Sequence, residues 1–174
     1  MRHFFKDISN FNNTWDYLPI LAGVLTVETF VIYFAFLSNS STVLQDWYRN
    51  YTLAAVMADV LVVVIVMIVA RFLYPLLFSG FSILSFVGLV LGLQIIHDLL
   101  FYRGFSLVPK GYNRMLDTFK KYAKEVGGYA ILGDSVIVIL SSLFASHLAT
   151  HGTNWNIIVL ITSLYFIPYL LYHK

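Results

Sequence analysis

Five apolar runs, each close to the length a bilayer demands, leave this chain few ways to fold. A membrane-crossing helix needs about 17–25 such residues, and the runs cover 19–37, 53–78, 81–102, 126–148 and 155–172. None alternates apolar and polar residues with a period of two. Helices are therefore predicted rather than barrel strands, even for the Val-rich second run. Within lipid a helix satisfies its own backbone hydrogen bonds, which an open sheet cannot do. The fold class that follows is all-α and integral to the membrane, a five-transmembrane-helix bundle forming one domain over 1–174. Charge agrees: only 11% of residues are Asp, Glu, Lys or Arg, against about one-quarter in soluble domains, and the mean hydropathy is +0.78.

The connections set the topology. Ser79-Gly80 permits only a tight turn between the second and third spans, and the link at His151-Gly152-Thr153-Asn154 is nearly as short. The longest connection, 103–125, changes character halfway. From Tyr112 onward apolar residues fall at 112, 115, 116, 119, 122 and 126, with Lys120, Lys121 and Lys124 on the opposite side. That spacing predicts a short amphipathic helix over 112–125, lying on the headgroups with its lysines at the membrane surface. Gly127-Gly128 is the expected hinge into the fourth span. Trp15, Tyr17, Trp47, Tyr48, Tyr102, Trp155, Tyr169 and Tyr172 are assigned to the interfaces as aromatic anchors. The first eighteen or so residues carry Asp7 and Asp16 and no cleavable-signal core, and are expected to remain as a polar tail.

With five spans, the two longer loops and the C-terminus share one side. Eight Lys and Arg residues fall there and only Arg2 and Lys6 on the other, so the positive-inside rule predicts N-out, C-in, with a cytosolic amphipathic helix. Arg71 lies inside the second span near its outer end, where snorkelling to the headgroups is the favoured expectation.

Function is suggested by what interrupts the apolar runs. Glu28, Asp59, Asp98 and Asp134 each sit on a different span. A carboxylate in hydrocarbon costs roughly 2.5–3.5 kcal/mol on insertion scales, so these side chains are expected to face the interior. Counted at about 1.5 Å per residue, Asp59, Asp98 and Asp134 fall roughly 6–12 Å below the cytosolic boundary, with Glu28 somewhat deeper. Gln94, His97 and Asp98 occur at i, i+3 and i+4 of one helix. Around Asp134 a stripe of small residues (Gly127, Ala130, Ser141, Ala145) favours close helix approach, and Ser135 and Ser141 add polar support.

Three uses compete for these groups. They can lock the bundle by hydrogen bonds; they can form a proton or cation path, with His97 as titrating partner and Glu28 as a deeper stop; or His97, Asp98, Asp59 and Asp134 can ligate a divalent metal. The familiar enzyme signatures are missing, which leaves an integral-membrane enzyme acting on lipid as the least favoured reading. The chain has no HExxH, GxSxG or Walker A motif and no Lys within a span, and the lack of cysteine removes thiol chemistry, disulfides and iron–sulfur clusters. A net charge of +2 gives no basis for nucleic-acid binding.

The segment Tyr122-Ala-Lys-Glu-Val-Gly-Gly-Tyr-Ala-Ile-Leu-Gly-Asp-Ser135 resembles a stretch in uncharacterised small polytopic membrane proteins of large double-stranded DNA viruses. The resemblance implies residence in a virion or host endomembrane and brings no site residues with it. The leading expectation is a small proton or cation channel or transporter without a cofactor, its partners being the bilayer, protons or cations and a second copy of itself. The alternative is a non-enzymatic structural membrane protein, such as one of a viral envelope, whose polar residues specify packing.

Overall fold

A computed structural model describes residues 4–37 and 42–172, and among them there is no strand. After a 3₁₀ turn at Thr14–Asp16, seven α-helices follow among the described residues: α1 (Tyr17–Leu37), α2 (Thr42–Tyr51), α3 (Leu53–Leu77), α4 (Ile83–Leu107), α5 (Arg114–Val126), α6 (Tyr129–Leu148) and α7 (Thr153–Leu171). Helices α1, α3, α4, α6 and α7 are long and apolar enough to cross a membrane. The chain is a five-span integral membrane bundle with two short helices at one end.

Packing arranges four of the spans as a ring. α1 packs on α3 and α6, and α4 packs on the same two helices. Each neighbour in this ring runs antiparallel to the last, because the spans alternate in direction along the chain. α7 lies outside the ring against α1, fastened by a 2.9 Å hydrogen bond between Thr26 and Ser163. The short link between α6 and α7 thus carries the chain past α6 to the far side of α1.

The tightest crossing joins α1 to α6. A Cβ on Gly23 would stand 2.8 Å from the Ala145 backbone nitrogen and 2.9 Å from its Cα. Gly23 is therefore what lets the two backbones meet, as small residues do between membrane helices. Gly23→Leu should cost about 3 kcal/mol, the upper end for overpacking, because the obstacle is backbone and cannot rotate away. Gly92→Leu on α4, where no atom lies within 4 Å, should be nearly neutral. Unfolding in detergent with increasing SDS would read both, and equal effects would contradict this packing.

Helix ends have local causes. Gly127 adopts φ +58°, which closes α5 and makes α6 begin at Tyr129 rather than at 126. Asn113 accepts from the Met115 and Leu116 amides and starts α5. α4 passes the expected boundary at 102 and continues to Leu107. Its apolar face persists there, with Phe101 and Phe105 against Phe119 of α5 at ring separations of 5.1 and 6.2 Å. Tyr74, 2% exposed, holds the α3–α4 turn: its hydroxyl accepts from the Ser82 amide at 2.9 Å and reaches the Gly80 carbonyl at 3.2 Å.

Two expectations need correction. Arg71 does not snorkel. It is fully buried, 3.7 Å from Asp16, donating to the carbonyls of Asn10 and Asn13, with its guanidinium 4.3 Å from the centre of the Tyr17 ring. The N-terminal segment is likewise not a free tail. The Lys6 amide donates to the Ser146 carbonyl at 3.1 Å, the Ser146 hydroxyl returns a bond to the Lys6 carbonyl, and Ile8 is wholly buried. The segment folds back over one end of the ring. Charge in a low-dielectric interior seeks partners, and the folded-back N-terminal segment supplies Asp16 and two carbonyls.

Candidate functional site: a ring of carboxyl groups

Each helix of the four-membered ring contributes one acidic side chain: Glu28 from α1, Asp59 from α3, Asp98 from α4 and Asp134 from α6. α7, the span outside the ring, has none. Counted from the ends of their helices on the α2/α5 side, the four lie roughly 8–14 Å deep.

The four groups feel one another around the ring. Glu28 is within electrostatic reach of Asp59 and Asp134, and Asp134 of Asp98 and Asp59. Among the described residues no group of three or more His, Asp or Glu side chains is placed to hold a metal ion.

Helices α2 and α5 roof this layer, and α2 supplies its donors. The Tyr48 hydroxyl donates to Glu28 Oε1 at 2.8 Å in a buried contact, and the Asp59 carboxyl lies close enough to act on it electrostatically. The Trp47 indole N–H donates to Asp59 Oδ2 at 2.9 Å. Burial, then the nearby charges of Glu28 and Asp59, push the Tyr48 phenol well up, so it stays protonated and able to donate. On α5, Tyr122 is pushed up to about 12, first by burial and then by the charges of Asp134, Asp59 and Glu125. Above them an aromatic cluster closes the end, with Trp47 4.7 Å from Phe119 and 4.8 Å from Tyr51. The Tyr51 hydroxyl ties α2 to the Arg114 carbonyl of α5 at 2.8 Å.

Asp98 is held differently. Gln94 Nε2 donates to its Oδ1 at 2.7 Å, and His97 Nδ1 stands 3.1 Å from the same oxygen. His97 itself turns partly outward, with 36% of its side chain exposed, and stacks on Phe101. It meets one ring carboxyl, not several. Asp98 Oδ2 and Gln94 Oε1 are buried without a hydrogen-bond partner among the described residues.

The remaining expected residues divide. Ser141 is fully buried with an unpartnered hydroxyl. Ser135 bonds back to the Ile131 carbonyl of its own helix and joins no carboxyl. Of the small-residue stripe, Ala145 makes the α1 crossing, while Gly127 is exposed. Lys121 and Lys124 are exposed as expected, but Lys120 is drawn inward, donating to the Val108 carbonyl.

Trp47 and Tyr48 were expected at the interfaces and are instead 5% and 1% exposed. The sequence held the cue to their role: Leu44, Trp47, Tyr48 and Tyr51 fall at i, i+3, i+4 and i+7, one face of a helix. An aromatic pair beside a span fits an anchor and an amphipathic helix equally well, and only the position of the carboxyls separates the two.

Neither of two surface clefts, one of 760 Å³ at the N-terminal end and one of 530 Å³ at the capped end, is lined by a ring carboxyl. No family model, curated protein or solved structure matches this chain.

Proposed function

We propose that this protein moves or exchanges protons, with the carboxyl ring as the set of groups that hold them. The observation that supports this reading is the Tyr48 hydroxyl, bonded to Glu28 and within electrostatic reach of Asp59. A phenol between two carboxyls can pass a proton without gaining or losing one. Protonated Asp59 gives its proton to the Tyr48 oxygen as Tyr48 gives its own to ionised Glu28; the result is ionised Asp59 and protonated Glu28. A hydrated metal cation is served less well, since it needs several ligands at once and no cluster of three acidic or histidine side chains is present among the described residues.

In this scheme Asp134 and Asp98 extend the set across the ring, and the α2/α5 end, richer in Lys and Arg, faces the cytosol. The structural alternative has specific support of its own, because the bonds from Trp47 to Asp59 and from Gln94 to Asp98 also satisfy buried groups, and the first ties α2 to α3.

Proteoliposomes with a trapped pH dye separate the two. Wild-type protein should dissipate an imposed pH gradient faster than empty vesicles, and Asp134→Asn should slow it or shift its pH dependence while the protein stays folded. Wild-type flux equal to that of empty vesicles would leave the structural alternative standing.

A further inference from the structure

We infer that the groove between the C-terminal end of α4 and helix α5 is a binding site for the phosphate of an anionic phospholipid. Its charge is one-sided: Lys110, Lys120 and Lys124 line it together with Tyr102, Phe105 and Val108, and no acidic side chain does. The groove has a volume of 530 Å³.

Its depth suits a lipid. α4 has 25 residues, which at about 1.5 Å each exceeds the roughly 30 Å hydrocarbon thickness, so its last turns emerge at headgroup level. Tyr102 and Phe105 supply an apolar wall for the glycerol and upper chain, while the ammonium groups stand where the phosphate would lie.

The groove is also held in shape. Lys120 clasps the Val108 carbonyl, and the Gly111 amide donates to Asp117 Oδ2 at 2.8 Å, so the 108–113 connection is tied at two points to α5. Asp117 on α5 is engaged by that amide and lies 3.9 Å from Lys120. Lys110 and Lys124, both exposed, therefore carry the attraction. A site formed before its ligand arrives loses little to ordering.

The test is native mass spectrometry of the full chain released from nanodiscs of equimolar phosphatidylglycerol and phosphatidylcholine. Phosphatidylglycerol should be retained in excess. Lys110→Gln and Lys124→Gln should each cut that excess about five-fold. Lys120 is left intact because it also ties the groove together. Arg114→Gln and Lys121→Gln, which alter exposed charges on α5 outside the groove, should change it little. Equal retention of both lipids, or equal loss from every charge variant, would overturn the site in favour of diffuse surface attraction. Displacement of the lipid by inorganic phosphate would assign the groove to a soluble anion instead.

Discussion

Replacing Arg71 with methionine should destabilise the protein by about 3–5 kcal/mol, the usual cost of stranding one member of a buried ion pair. Asp16, 1% exposed, would lose the guanidinium 3.7 Å away and keep Lys6 at 3.5 Å and the Asn13 amide at 2.8 Å. The Asn10 and Asn13 carbonyls would lose their shared donor, and the N-terminal segment two of its bonds to α3. Arg71→Lys should recover only part of the loss, since an ammonium lacks the planar guanidinium that lies over the Tyr17 ring. Combining Arg71→Met with Asp16→Asn should be milder than Arg71→Met alone, because no bare charge is left buried. SDS titration in detergent measures all three. A double variant worse than the sum of its parts would show that the pair is not what Arg71 contributes.

Tyr48→Phe should reduce proton flux by about a hundred-fold, the lower end of what positioned proton-transfer groups contribute, while lowering stability by about 1–3 kcal/mol through the unsatisfied Glu28 carboxyl. Trp47→Phe is the informative partner. It removes the hydrogen bond to Asp59, but an indole N–H only donates and cannot relay a proton. The two variants should therefore lose similar stability, and only Tyr48→Phe should lose flux. If both lose flux in proportion to stability, the α2 aromatics act by holding the ring together and the relay is wrong. The measurement is gradient decay in proteoliposomes, set beside SDS unfolding of the same preparations.

Hydropathy runs of bilayer length were enough to determine the five spans, because lipid admits only helices and closed barrels and these runs lack the alternation of barrel strands. The same logic brought Glu28, Asp59, Asp98 and Asp134 forward, since an intramembrane carboxyl is costly wherever it lies. The amphipathic spacing from Tyr112 onward was enough for α5, whose observed bounds, Arg114–Val126, differ from 112–125 by the Asn113 cap and the Gly127 break.

What stayed hidden depends on contacts between residues far apart in the chain. That the four acids sit on the four ring helices follows from α1 packing against α6, which the Gly23–Ala145 approach permits; nothing local to either residue announces the other. Arg71 was read from its distance to the headgroups, but its partner Asp16 is brought beside it only when the N-terminal segment folds back. Trp47 and Tyr48 have the same chemistry at an interface as beneath a helical roof. Sequence periodicity tells which face of a helix is apolar; which carboxyl that face will meet is decided by the geometry of the whole bundle.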